Sequence, residues 1–320
     1  MLNMKLQFKN LPDVFENSAR KHPKNIFLQI KKGNDYVAYT YEQSHSMVKS
    51  LAFNLSKKIK EGRKIAILSE NMPEWCIAYL SISSIGCTAV PLDTNLTEEN
   101  ILLFLDHSDS VAIFVSKTLI GKISNVRKKL RKLIYVICLD NQEESPILNF
   151  NSIANDEVNF DIKKKAHLED IASLIYTSGT SGQPKGVMLT HSNLISDLLA
   201  GSKKFEINSQ DKFIALLPLY HIFAFTTIFL FSCLVGASIT FIKSLKKNEI
   251  FDAIREKKIT IMFGVPKIFE AIHDGIIDKI EKQPANKKFL IKTLAFANVT
   301  SVKLFKKNFG RLLFKQIHKQ

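Results

Sequence analysis

Short apolar runs rich in β-branched residues alternate along this chain with longer amphipathic ones, and this alternation constrains the fold most tightly. Lys64-Ile-Ala-Ile-Leu-Ser69 predicts a buried strand, and Pro73 to Ile85 predicts a helix with proline in its first turn. Cys87-Thr-Ala-Val-Pro-Leu92 is a second predicted strand, Thr97-Glu-Glu-Asn100 caps and opens a second helix, and Val111 to Val115 is a third strand. A basic helix from Lys117 to Lys132 then leads into Leu133-Ile-Tyr-Val-Ile-Cys-Leu139. Strands separated by helices of this length pair in parallel through right-handed crossovers, so the expected class is α/β with a largely parallel sheet. The polar stretch Asp140 to Lys165 interrupts the pattern and marks the expected junction between a first α/β subdomain, 1–165, and a second, 166–320.

The pattern resumes with Ile171-Ala-Ser-Leu-Ile-Tyr-Thr177, a strand that feeds into Ser178-Gly-Thr-Ser-Gly-Gln-Pro-Lys-Gly186. Thr190-His-Ser-Asn193 starts a helix, Lys247 to Lys257 is a second, and Thr260-Ile-Met-Phe263 is a strand. From Lys279 onward the period is helical and Glu281 is the only acid. Phe213 to Ile242 contains no Asp, Glu, Lys or Arg. Pro218 and Gly236 interrupt that block, and Phe223 to Val235 is too short to cross ~30 Å of hydrocarbon at about 1.5 Å per residue. A buried strand, turn, helix and strand are expected there, and no transmembrane segment.

Forty-five Lys and Arg against 30 Asp and Glu leave a net charge of +15, which suits an anionic partner. Only six of the cations are arginine, and no nucleic-acid-binding module accompanies them, so no nucleic acid is expected. Cys76, Cys87, Cys138 and Cys233 are widely spaced in apolar runs, which reads as reduced core cysteines in a cytoplasmic protein.

Chemistry concentrates between Thr177 and Gly186, where ten positions hold three glycines, four hydroxyl side chains and Lys185. Glycines let backbone N–H groups converge on an anion, Ser and Thr add donors, and lysine adds charge. The spacing is not that of the Walker loop. A plain surface turn is the competing explanation, but ligand sites of open α/β folds lie at strand carboxyl ends, where this loop is expected.

Tyr176-Thr-Ser-Gly-Thr-Ser-Gly-Gln-Pro-Lys-Gly186 with Val187-Met-Leu-Thr-His-Ser-Asn193 resembles the phosphate-loop signature of the adenylate-forming enzymes, which include acyl-CoA synthetases, luciferases and peptide-synthetase adenylation domains. The resemblance implies that Thr177, Ser178, Gly179, Thr180, Ser181, Gly182 and Lys185 grip the β- and γ-phosphates of ATP, with Thr177 also on Mg2+. Ser181 stands where the family usually has threonine and keeps the hydroxyl. Leu217-Pro-Leu-Tyr-His-Ile-Phe-Ala-Phe225 is similar to the segment of acyl-CoA synthetases whose histidine stands beside the carboxylate and gates the acyl pocket, which assigns His221 that role. Phe223 and Phe225, with Gly264, Val265 and Pro266 of Phe263-Gly-Val-Pro-Lys-Ile-Phe-Glu270, would line the pocket, although an aromatic stripe is equally a core feature. Gly62 to Asn71, Pro73-Glu-Trp75, Gly86 to Asp93 and His107-Ser-Asp109 look like the family's N-terminal subdomain. The lysine-rich stretch after Lys279 is most like the insertion of long-chain fatty acyl-CoA synthetases. It suits peripheral contact with an anionic membrane, with a solvated helix face as the alternative.

The implied fold is the acyl-CoA-synthetase-like large N-terminal domain, with stacked, mostly parallel sheets flanked by helices, truncated before the C-terminal domain. The implied reaction adenylates a long-chain fatty acid with MgATP and passes the acyl group to CoA. The family's adenine, ribose and hinge motifs and its catalytic lysine are expected beyond Gln320, so the 320 residues alone are expected to be inactive. Other readings are a non-catalytic nucleotide- or acyl-binding remnant and an adenylation module that loads a carrier protein. The expectation is tested by carboxylate-dependent ATP–pyrophosphate exchange, which should not rise above background for the purified 320-residue chain.

Overall fold

The computed structural model describes residues 8–140, 147–155, 166–177 and 185–305. Its chain opens with the helix Leu11–Lys21, then the antiparallel pair β1 (Ile26–Lys32) and β2 (Asp35–Thr40). Next come β3 (Lys64–Leu68), β4 (Thr88–Leu92), β5 (Ser110–Val115), β6 (Tyr135–Cys138), β7 (Leu148–Asn149), β8 (Ile171–Thr177) and β9 (Lys185–Thr190). The last strands are β10 (Lys212–Ala215), β11 (Ser238–Phe241) and β12 (Ile261–Met262).

These strands form two sheets. Seven strands run in the order β7-β6-β5-β3-β4-β8-β9, parallel except for the final β8–β9 pair, and five run in the order β12-β10-β11-β1-β2, parallel except for β1–β2. The largely parallel α/β class expected from the alternation is observed, and the mostly parallel sheets flanked by helices are those the resemblance implied. The chain-order division at 165/166 does not separate the sheets. β8 pairs with β4, and β1 pairs with β11 some 200 positions away.

Helix ends follow local capping chemistry. Asn10, Thr40, Thr97 and Thr190 each accept a backbone N–H from the residue three positions on. At Thr40 and Thr190 the side chains of Gln43 and Asn193 return the bond, which completes a capping box. The charge-free block is a strand, a turn, a helical stretch from Ile222 to Val235 with a π-helical middle at Phe225–Leu230, and a strand; Gly236, at φ +82°, ends the helical stretch. Among the described residues no helix is long and apolar enough to cross a membrane.

Strand residues alternate between two apolar clusters. Ile65 and Ile67 of β3 join one that contains Trp75, Tyr79, Phe213 and Phe241, while Ala66 and Leu68 join another with Ile101, Leu105 and Ile123. In β5, Ala112 and Phe114 go one way, and Ile113 and Val115 the other. Burial on both faces is why these strands read as continuous apolar runs. The helix Pro73–Ser84 is buried along its whole length, with Trp75 and Tyr79 stacked 5.8 Å apart and Phe225 and Phe229 edge-on to them.

Compact packing divides the chain into a unit reaching to Lys243 with Ile259–Phe263, and a unit of Ser244–Lys258 with the chain from Gly264. The second unit holds the helices Lys247–Lys257, Pro266–Glu281 and Ala285–Phe305. Within it Gly275 lies against Phe251, where a Cβ would come within 2.9 Å of the ring, and Lys247 pairs with Asp278 at 3.1 Å. The expected helix from Lys279 is broken near Pro284, whose ring and missing N–H end one helix before Ala285 begins the next.

Replacing Trp75 with alanine removes the largest fully buried side chain. A loss of about 3–5 kcal/mol is expected, measured as a lower urea midpoint at unchanged slope.

Candidate functional site

Parallel register brings the carboxyl ends of β3, β4 and β8 to one level. Leu68 pairs with Leu92 and Ala89 with Ser173, so Ser69, Asp93 and Thr177 count out side by side where their strands end. The strand missed from sequence, β9, returns antiparallel from this edge, with Thr177 opposite Lys185 across the ladder. Thr177 and Lys185 are both exposed. Ser178, Gly179, Thr180, Ser181 and Gly182 lie outside the described residues.

The root of this hairpin is fixed from beneath. Tyr176 stacks on Phe104 at 4.4 Å, and its hydroxyl lies 2.7 Å from His107 Nδ1. Burial, with the nearby Asp109 carboxylate, pushes the Tyr176 phenol up to about 12, so it stays protonated. Gly186 has a packing role, because a Cβ there would fall 2.9 Å from Leu174 Cδ1 on the neighbouring strand.

His221 reaches the same edge by another route. Asn71, in the turn after β3, donates from Nδ2 to the Leu217 carbonyl at 2.8 Å and accepts the Leu219 N–H on Oδ1 at 2.9 Å. Next along, Tyr220 is hydrogen-bonded to Asp93, and burial plus that carboxylate pushes its phenol up to about 12. Lys122 holds the Asp93 turn by donating to the carbonyls of Thr94 and Leu96 at 3.2 and 2.9 Å. His221 itself is exposed, its ring 4.5 Å from that of Tyr220, and its carbonyl accepts the Phe225 N–H. Glu70 and Thr118 complete the rim with a 2.7 Å bond; burial raises the Glu70 carboxyl, but bonds from Ser116 and Thr118 outweigh it and hold it below the usual range.

The aromatic residues divide. Phe223 is 48% exposed and meets Phe263 edge-on at 6.1 Å, whereas Phe225 is fully buried against Tyr79 and Trp75 and belongs to the core. Gly264, Val265 and Pro266 open the second unit; Val265 precedes the helix whose first residue is Pro266, and Gly264 packs near Phe269. Asn71, Asp93 and Tyr220 escaped the sequence reading. Their partners lie more than a hundred residues away, and no local pattern signals such contacts. All four cysteines are buried and none forms a disulfide, as expected.

The edge thus presents a hydroxyl and a lysine across one strand pair, with a tethered histidine and a half-exposed phenylalanine on a separate segment. The chain matches the AMP-binding enzyme family over residues 15–310. The chloroplastic long-chain-fatty-acid–[acyl-carrier-protein] ligase of Arabidopsis thaliana is 28% identical over 311 residues, 90% of this chain and 42% of the relative. Long chain acyl-CoA synthetase 4 of the same plant is 29% identical, covering 87% and 45%. The chain therefore spans less than half the length of these relatives. Among solved structures, an anthranilate CoA ligase in complex with anthranoyl-AMP aligns with a TM-score of 0.77 at 22% identity, over 84% of this chain and 52% of that one. A long-chain-fatty-acid-CoA ligase from Archaeoglobus fulgidus aligns at 0.76 and 19% identity, over 88% and 57%.

His191, just beyond β9, is buried; its Nδ1 accepts the Leu11 N–H at 3.2 Å. Burial lowers its pKa to about 4, against a smaller upward pull from Asp170. The unfolded chain therefore binds this proton near pH 6.5 while the folded one does not. Stability conferred by the neutral ring is complete above pH 6.5 and falls by on the order of 3 kcal/mol as pH drops to about 4. Urea unfolding across that range should show the loss, and His191→Gln should flatten it.

Proposed function

Because the chain belongs to the AMP-binding enzyme family, we propose that it supplies the phosphate-gripping and acyl-gating half of an ATP-dependent carboxylate ligase that acts on a long-chain fatty acid. In that reaction the carboxylate attacks the α-phosphorus of ATP, giving acyl-AMP and pyrophosphate. A thiol then displaces AMP to form the thioester. CoA is the acceptor we favour. The carrier-protein thiol is the second, since a relative named for that acceptor is as similar to this chain as one named for CoA.

The observation that carries the reading is the Thr177–Lys185 pair, held across a strand ladder at the carboxyl end of parallel strands. Charge accumulates on the β- and γ-phosphates as pyrophosphate departs, and a lysine already positioned there stabilises it without reorganising. Ser178, Gly179, Thr180, Ser181 and Gly182 would add hydroxyl and backbone donors. His221, tethered through Asn71 and Tyr220, would orient the acid's carboxylate, with Phe223 at the mouth of the acyl site. Gly264, Val265 and Pro266 are assigned to the acyl wall on the resemblance alone.

Magnesium would enter with the nucleotide. Mg2+ uses one or two protein ligands and completes its shell with phosphate and water oxygens. Among the described residues no three His, Cys, Asp or Glu side chains gather to hold a metal, so the single Thr177 hydroxyl fits a metal–nucleotide complex and not an all-protein cage.

Calorimetric titration tests the phosphate grip without requiring turnover. MgATP and magnesium pyrophosphate should both bind the purified chain, AMP should not saturate it, and Lys185→Ala should weaken both ligands at least tenfold, as loss of a charged hydrogen bond predicts. Equal binding by the variant and the parent chain would remove Lys185 from the site.

A further inference from the structure

The opposite edge of the seven-stranded sheet carries a surface unrelated to the chemistry above. The segment 57–64, which ends at the start of β3, holds Lys57, Lys58, Lys60, Arg63 and Lys64. The segment 127–132, which leads to β6, holds Arg127, Lys128, Lys129, Arg131 and Lys132. They are far apart in sequence but adjacent at the amino ends of β3, β5 and β6, because Lys64 pairs with Ser110 and Ala112 with Tyr135. Two contacts span the gap. Lys58 Nζ sits 5.8 Å from the Tyr135 ring centroid, and Asp109 at the head of β5 pairs with Lys132 while also feeling the charge of Lys64.

Ten cations here face three acids, Glu61, Asp106 and Asp109. Lys57, Lys58, Lys60, Arg63, Lys128, Lys129, Arg131 and Lys132 are exposed, and Ile134, at 57% exposure, is a large apolar side chain among them. Glu169 and Asp170 lead into β8 and bound the patch on one side.

We propose that this amino-edge surface is a docking face for an anionic lipid bilayer. Seven of the ten cations are lysine, which makes point-charge contacts suited to a plane of diffuse headgroup charge better than to a fixed phosphate geometry. The patch sits on strand-entry turns, its Tyr135 ring is half-buried with Lys58 beside it and is not an open platform for base stacking, and Ile134 offers a side chain that can enter the interface. Docking here turns Thr177, Lys185 and His221 away from the bilayer, since β3, β4 and β8 run from one edge to the other. Nucleotide and thiol would then approach from solvent. The surface stands apart from the proposed activity, and its test has no catalytic readout.

The test is co-sedimentation of the purified chain with vesicles of phosphatidylcholine alone and of phosphatidylcholine with phosphatidylglycerol, at 0.1 M salt. The chain should bind the anionic vesicles and not the neutral ones. Lys60→Gln/Lys128→Gln/Lys129→Gln should lower partitioning at least tenfold, since cations near an anionic surface contribute multiplicatively to binding. Lys287→Gln/Lys288→Gln/Lys292→Gln, in the helix of the second unit, should lower it less. Circular dichroism checks folding, and Lys57→Gln/Lys60→Gln replaces the first triple if that triple does not fold. The proposal is overturned if the amino-edge variant partitions like the parent chain, if the second-unit variant has the larger effect, or if the chain retains RNA or an acidic protein but not anionic vesicles.

Discussion

The helix Pro73–Ser84 has no solvent face, and the rest of the structure depends on what that requires. A helix apolar on every side must be covered on every side, and its cover comes from both sheets and from the helices Leu11–Lys21 and Tyr41–Ser56. Because it leaves β3 and returns to β4, it also sets those two strands side by side and parallel. The turn that starts it carries Asn71, and so the covered helix determines where the Leu217–His221 segment is tied down.

The chemistry at the carboxyl edge is accordingly assembled from separate segments that share one support. Thr177 and Lys185 come from a hairpin braced by Tyr176 against Phe104. His221 comes from a loop latched by Asn71 and Tyr220. None of these groups is held by its own sequence neighbourhood alone, as the proposed site would require if its parts are to keep their spacing while a polyanion enters and leaves.

Much of this could be read before any coordinates. β3 to β6 were visible because burial on both faces leaves unbroken apolar runs, and the helices after Thr97 and Thr190 were visible through their caps. The loop was visible because its glycines and hydroxyls have few other uses. The hairpin β1–β2 and the strand β9 were not, since β2 and β9 are half-exposed and β1 has only a short buried stretch between exposed and half-buried ends. The basic helix read from 117 to 132 contracts to Ile120–Arg127, because Leu130 and Leu133 bury themselves in the turns that follow. Phe225 fell to the core and Phe223 to the surface, two positions apart on a helical stretch, a difference that only packing decides.

The pairing of β1 with β11 has a consequence for how the molecule is made. The seven-stranded sheet is complete once the ribosome has passed Thr190, but in the five-stranded one β1 has no parallel neighbour until Phe241 has emerged, and β12 follows later still. The β1–β2 hairpin therefore waits some 200 residues for its parallel neighbour, about 10–40 s at ordinary elongation rates. Through that interval Phe27 and Leu28 of β1, both fully buried in the finished protein, lack the strand that will lie beside them. The β1–β2 hairpin therefore needs shelter while the chain is being made, although in the finished fold β1 lies inside the sheet and only β2 is at its edge.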